Sequence, residues 1–178
     1  MEYEKDIITV AVVNYQVASQ EKEINLRRVV GFAEAAAKRG ADLVLFPELC
    51  IMGYDYYIND QISKTDKINT TETLSGSICQ AISHVAKQYG IYIVFGMAEK
   101  KSDDSDEIFN SAVAVGPEGV LGSYQKIHPF EEENKWFEKG ETPFMFQTPW
   151  GPISMGICYD TYQFPELMRH YVAQGSRL

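Results

Sequence analysis

Short runs rich in β-branched residues alternate with helical stripes along the first half of this chain, and each stripe closes on a glycine. Residues 7–15 (IITVAVVNY) read as a buried strand, because branched side chains suit a pleated, packed surface. Within residues 21–39, Leu26, Val29, Val30, Ala33, Ala36 and Ala37 recur at the spacing of one helix face, and Gly40 stands where a C-terminal cap belongs. Residues 42–46 are the next strand-like run. A second helix is expected to start near Ser75 or Ser77, both good N-caps, with Ile78, Ile82, Val85, Ala86 and Tyr89 on its apolar face and Gly90 behind it. Residues 91–97 form a third strand. Residues 109–115 and 120–126 flank the turn cluster Gly116-Pro117-Glu118-Gly119, and residues 144–148 and 152–158 flank Pro149-Trp150-Gly151, so each pair predicts a hairpin. Pro165 suits the first position of a last helix. No linker or repeat divides residues 1–178, so one α/β domain is expected, with helices on one face of a sheet and a partner sheet on the other.

Three of these apolar runs end abruptly in a residue capable of chemistry. Val44-Leu45-Phe46-Pro47 ends in Glu48, Leu121-Gly122-Ser123-Tyr124-Gln125 in Lys126, and Ile153-Ser154-Met155-Gly156-Ile157 in Cys158. Functional groups collect at the carboxyl ends of strands in sheets with crossover helices. A neighbouring cation lowers a thiol pKa, and a nearby carboxylate can accept the thiol proton and later activate water. A lysine, with the backbone N–H that follows the nucleophile, can stabilise an oxyanion. Each residue also has a plainer reading: a strand-end charge in solvent, or a cysteine serving as a small core residue. Spacing alone leaves the two readings level.

The formal net charge of −9 argues against phosphate backbones and anionic lipid as partners. The opening Met1-Glu2-Tyr3-Glu4-Lys5-Asp6 has neither the basic nor the apolar region of a signal peptide, and no apolar run is long enough to span a bilayer. The three cysteines form no CxxC pair, and His84, His128 and His170 share no metal-ligand spacing. A cytoplasmic protein with free thiols and no metal is the expectation. Cys50 and Cys79 read as structural, and redox sensing would need a resolving cysteine that the pattern does not offer.

Phe46-Pro47-Glu48-Leu49 with Gly53-Tyr54, Tyr124-Gln125-Lys126-Ile127-His128-Pro129-Phe130, and Gly156-Ile157-Cys158-Tyr159-Asp160 with Phe164-Pro165-Glu166 resemble, in order and spacing, the three motifs of the nitrilase/amidase superfamily of carbon–nitrogen hydrolases. Phe95-Gly96, Phe109-Asn110-Ser111-Ala112 and the Gly119–Gly122 stretch fit the same resemblance. It implies the N-terminal portion of a four-layer α-β-β-α sandwich, with Glu48 as general base, Lys126 as oxyanion partner and Cys158 as nucleophile. The stretch Glu133-Asn134-Lys135-Trp136-Phe137-Glu138-Lys139-Gly140 matches the place of a second glutamate, so Glu133 is the expected supporting carboxylate and Glu131 and Glu132 are solvated charges. The Tyr159 backbone N–H is the second oxyanion donor. The implied reaction is cofactor-independent hydrolysis of a small amide or carbamoyl substrate, less readily a nitrile, by a homo-oligomer of two or more chains.

The chain departs from the family pattern in two places. Asp160-Thr161-Tyr162-Gln163-Phe164-Pro165-Glu166 lacks the arginine that helps some relatives bind a substrate carboxylate, which argues against an acidic substrate. The sequence also stops at Gly175-Ser176-Arg177-Leu178, where a further buried strand is expected, so the domain is expected to be incomplete at its C-terminus. An alternative follows: an inert remnant acting only through association with another chain.

Overall fold

The computed structural model describes residues 4–178, so Met1, Glu2 and Tyr3, with which the reading of the N-terminus begins, lie outside the described residues. Three parallel strands, β1 (Val10–Val12), β2 (Leu43–Leu45) and β3 (Tyr92–Lys100), are joined through the helices that follow β1 and β2. Two antiparallel strands, β4 (Ile108–Gly116) and β5 (Gly119–Gln125), complete a five-stranded sheet in sequential order β1-β2-β3-β4-β5. A smaller two-stranded sheet pairs β6 (Met145–Phe146) with β7 (Ile153–Ser154).

The period-two alternation of the strands sorts their side chains into two cores. Val44, Ile93, Phe95, Met97, Val113 and Val115 face one layer, built from α1 (Lys22–Ala37) and α4 (Ser77–Tyr89). Leu43, Tyr92, Val94, Ala112, Ala114 and Tyr124 face the other, where Phe146, Trp150 and Ile153 of the small sheet and its turn meet Leu167 and Tyr171 of α6 (Pro165–Ala173). The layers therefore run helix, sheet, sheet, helix, as the four-layer reading requires. Along the edge of β7, the Arg177 amide donates to the Pro152 carbonyl at 2.8 Å, so the last residues already lie beside the second sheet.

Both glycine-closed helices end as expected. Gly40 (φ +84°) and Gly90 (φ +66°) take the left-handed conformation that lets the chain turn while the next amides still reach Ala36 and Ala86 carbonyls. The start of α4 differs from expectation. Neither Ser75 nor Ser77 caps it; the Glu72 carboxylate accepts the Ile78 amide at 2.9 Å and is itself fixed by Lys22 at 2.5 Å. A carboxylate outbids a hydroxyl for an orphan amide because the bond is charge-assisted. The second hairpin is shorter than expected, since residues after Ser154 leave the ladder to form the bend at Cys158. Three further short helices, α2 (Tyr54–Ile58), α3 (Lys64–Asn69) and α5 (Tyr159–Gln163), have no counterpart in the sequence reading. No helix among the described residues is long and apolar enough to cross a membrane.

Candidate active site

Glu48 sits just past β2, on a segment that lies directly against β3. Gly96 makes this contact possible: a Cβ there would come within 2.4 Å of the Leu49 nitrogen and 2.6 Å of the Pro47 carbonyl oxygen. The segment is held from below by buried Asn25 of α1, whose amide donates to the Ile51 carbonyl at 2.9 Å. Lys126 directly follows β5, and its backbone amide still pairs with the Asn110 carbonyl of β4 at 2.9 Å. Gly140 passes so close to this strand that a Cβ would stand 2.0 Å from the Gln125 carbonyl oxygen. Glu133 lies on a 3-10 turn, Glu131–Lys135, and is fully buried while Glu131 and Glu132 are exposed.

These three side chains meet. Lys126 Nζ donates to Glu48 Oε1 at 2.8 Å and to Glu133 Oε1 at 2.9 Å, with the lysine only 1% exposed. Burial works to lower the Lys126 pKa, but the two carboxylates outweigh it and hold it above the ordinary lysine value. Glu133 is oriented in turn by the Phe130 amide, which donates to Oε2 at 2.8 Å. Asn110 Nδ2 donates to the same Glu48 Oε1 at 2.7 Å.

Cys158 stands at the N-terminal end of α5 with φ +44° and ψ −106°, a conformation that side-chain-bearing residues rarely adopt. Leu49 (φ +49°) and Glu131 (φ +41°) share positive φ, so three of the four such non-glycine residues among those described adjoin the carboxylates and the thiol. Strain of this kind persists only where the surroundings over-determine it, and it gathers at functional sites. The thiol is exposed. Glu48 and Cys158 line one cavity of about 150 Å³, whose walls include Phe46, Gly96, Ala112 and Ile157. Lys126 is joined to this cavity through its bond to Glu48.

Cys50 and Cys79 are 0% exposed, and burial pushes both thiols up to about 12. Cys50 Sγ donates to the Gly96 carbonyl at 3.4 Å, on the helical side of the sheet. His128 does not face Glu48 or Lys126; its Nδ1 is 2.7 Å from Asp160 Oδ1. Tyr159 packs edge-on against Phe130 and Phe164.

Sequence reasoning gave no individual role to three neighbours of the trio, although Asn110 and Tyr54 stand in the motifs quoted above. Asn110 was legible as an amide in a largely apolar strand, in step with Ala112 on one face. Tyr162 lies one helical turn past Cys158, and its hydroxyl is driven up by desolvation and then by the Cys158 sulfur. Tyr54, which opens α2 after Gly53 (φ +92°), has its hydroxyl raised by burial and then by Glu133, Glu48 and Cys158. Among the described residues, no group of three His, Cys, Asp or Glu side chains could hold a metal ion.

Comparison with known proteins places the chain in a wider set. A family model described as carbon-nitrogen hydrolase matches residues 9–178. A nitrilase from Pyrococcus abyssi is 35% identical over 172 residues, covering 96% of this chain and 62% of its own. An omega-amidase from Mus musculus is 30% identical, covering 94% of this chain and 60% of its own. The crystal structure of an amidase from Nesterenkonia sp. superposes with a TM-score of 0.77 at 25% identity, over 95% of this chain and 62% of that one. The chain thus spans about 60% of the length of these curated relatives.

Proposed function

The chain belongs to the carbon–nitrogen hydrolase family, and on that premise we propose that it carries the catalytic residues of an enzyme that hydrolyses a small amide or carbamoyl compound, and less readily a nitrile. The observation that carries this reading is the Glu48–Lys126 bond of 2.8 Å beside a cavity that Glu48 shares with exposed Cys158. Cys158 Sγ attacks the carbonyl carbon while Glu48 takes the thiol proton. The oxyanion is held by the Lys126 ammonium and the Tyr159 backbone N–H. The tetrahedral intermediate collapses as Glu48 returns the proton to the nitrogen, which leaves as ammonia or amine, and a thioester remains. Glu48 then takes a proton from water, hydroxide adds to the thioester, and the acid departs as the thiol is restored. Support for a covalent step also comes from the Nesterenkonia amidase, one mutant of which carries the acetamide moiety of fluoroacetamide at its active-site cysteine.

The substrate is uncharged in this reading. Glu48 and Glu133 share the one ammonium of Lys126, so an acidic acyl group would be repelled. The working form is a cytoplasmic homo-oligomer, and no nucleic acid or membrane takes part. The test is ammonia release from a panel of neutral amides, carbamoyl compounds and nitriles. Cys158→Ala is expected to abolish it in a protein that still folds; retained turnover would remove Cys158 from the mechanism.

A second reading draws on the span of the chain, about 60% of its relatives. It is a chain inert by itself that works only when paired with another. Ammonia release that appears only when a co-purifying chain is added back would favour it.

A further inference from the structure

Asp160 is a fully buried carboxylate, and every side chain that satisfies it comes from the far side of the site. Tyr124 Oη donates to Oδ2 at 2.8 Å. The His128 backbone amide donates to Oδ1 at 2.9 Å, and His128 Nδ1 lies 2.7 Å from the same oxygen. With an acceptor opposite it, that ring nitrogen carries the proton. Tyr124 and His128 bracket Lys126, two positions to either side, and Asp160 stands two positions after Cys158. One buried carboxylate therefore ties the strand end that carries the lysine to the bend that carries the thiol.

The tie continues on both sides. His128 stacks on Phe164 with ring centroids 3.6 Å apart, and Phe130 meets Tyr159 edge-on at 5.0 Å. Phe130 also gives its amide to Glu133, which holds Lys126, which holds Glu48. An unbroken run of charge-assisted bonds and ring contacts thus links the Cys158 bend to the general base. A buried carboxylate is a costly way to fill a gap that an apolar side chain could fill with equal or greater stability. What it adds is geometry: three donors on one segment fix the approach of the other. The left-handed Cys158 backbone needs such over-determination to persist.

We propose that Asp160 is a positioning residue that sets the Cys158 thiol against the Lys126 ammonium. The proposal rests on the thiol chemistry proposed above. A misplacement near 1 Å costs about a hundredfold in rate, so even a partial loosening of the tie is expected to register in kcat.

The test compares Asp160→Asn, Tyr124→Phe and His128→Ala in the natural full-length protein. Far-UV circular dichroism and thermal melting establish folding. Two readouts follow: kcat and KM on a neutral amide, and the rate of iodoacetamide alkylation of Cys158 across pH. Folded Asp160→Asn is expected to lose roughly tenfold or more in kcat, with KM within about twofold and a displaced alkylation profile. Tyr124→Phe, which removes one bond, moves both readouts less and in the same direction. Its effect in the Asp160→Asn background shrinks, because the two residues act as a unit. A folded Asp160→Asn with the wild-type kcat and alkylation profile overturns the proposal. If Asp160→Asn does not fold, unchanged kcat and alkylation in folded Tyr124→Phe and His128→Ala overturn it instead. If the wild-type protein releases no ammonia from any substrate, the proposed function fails, and the alkylation profiles alone decide the role of Asp160.

Discussion

Lys126 and Glu48 are 78 positions apart in the chain, and their Nζ and Oε1 atoms are 2.8 Å apart. Glu133 grips the same ammonium at 2.9 Å. Lys126→Met strands two carboxylates, one of them fully buried, and is expected to cost about 3–5 kcal/mol in urea unfolding. Glu48→Gln keeps an acceptor for the lysine, so it should lose turnover with a much smaller loss of stability. Equal stability of Lys126→Met and wild type would mean that the pairing does not hold the site together.

The pH dependence of that stabilisation has a definite sign. Folding raises the Lys126 pKa, so the folded state binds this proton more tightly than the unfolded one. Its contribution is then fully present below the unfolded-state value, near 10.4, and is lost as pH climbs through the higher folded value. The stability gap between wild type and Lys126→Met should stay flat from about pH 7 to 9 and narrow only above roughly pH 10.4. A gap that closes at neutral pH would contradict the raised pKa.

Gly96→Ala tests how Glu48 is placed. The added methyl meets backbone atoms of Leu49 and Pro47 at 2.4 and 2.6 Å, which cannot yield as a side-chain tip can. Overpacking of this kind costs about 1–3 kcal/mol, and here it also displaces the proposed base, so ammonia release should fall sharply. Gly31→Ala, in α1 with nothing within 4 Å of the new methyl, is the control; it should be neutral or slightly stabilising by about 0.5–1 kcal/mol.

The thiols should separate cleanly by exposure. Native protein is expected to take up one equivalent of iodoacetamide, at Cys158, and three on unfolding, as counted by mass spectrometry. Cys50 and Cys79, pushed up to about 12, should stay silent even at mildly alkaline pH. Labelling of either in the native state would show that the core opens.

Glu72→Ala should cost about 1–2 kcal/mol through the lost cap on α4. Burial pulls the Glu72 pKa up, but Lys22, the Ile78 amide and Ser77 together hold it below the ordinary value. Its contribution is therefore present above the unfolded-state value, near 4.3, and disappears as pH falls through the lower folded one. Chemical unfolding of both proteins at neutral and strongly acidic pH measures the difference; a gap that persists in acid would exclude Glu72 as the cap.

Some of this was written in local sequence. The faces of α1 and α4 follow from a 3.6-residue recurrence of apolar residues, and their ends from Gly40 and Gly90. The hairpin turning at Gly116-Pro117-Glu118-Gly119 follows from turn chemistry and period-two strands. Glu48, Lys126 and Cys158 stood out because a charged or reactive residue ends an apolar run in each case. These are properties of consecutive residues, and short-range sterics and hydrophobic periodicity express them directly.

The remainder depended on residues distant in the chain. Helices α2, α3 and α5, of five or six residues, are too brief to show an apolar period and are held by contacts rather than by propensity. The cap on α4 came from Glu72 because Lys22, fifty positions away, fixes that carboxylate in place. Asn110, Tyr54 and Asp160 stand in the local motifs, but Asn110 and Asp160 make contacts across strands and turns that no local pattern relates. The sequence by itself determined which groups the site holds and the order in which they come. Their 2.8 Å approach, the burial of Lys126 and the bend at Cys158 were decided only when sheet and loops packed, because Coulomb energy, desolvation and backbone strain depend on distances through space.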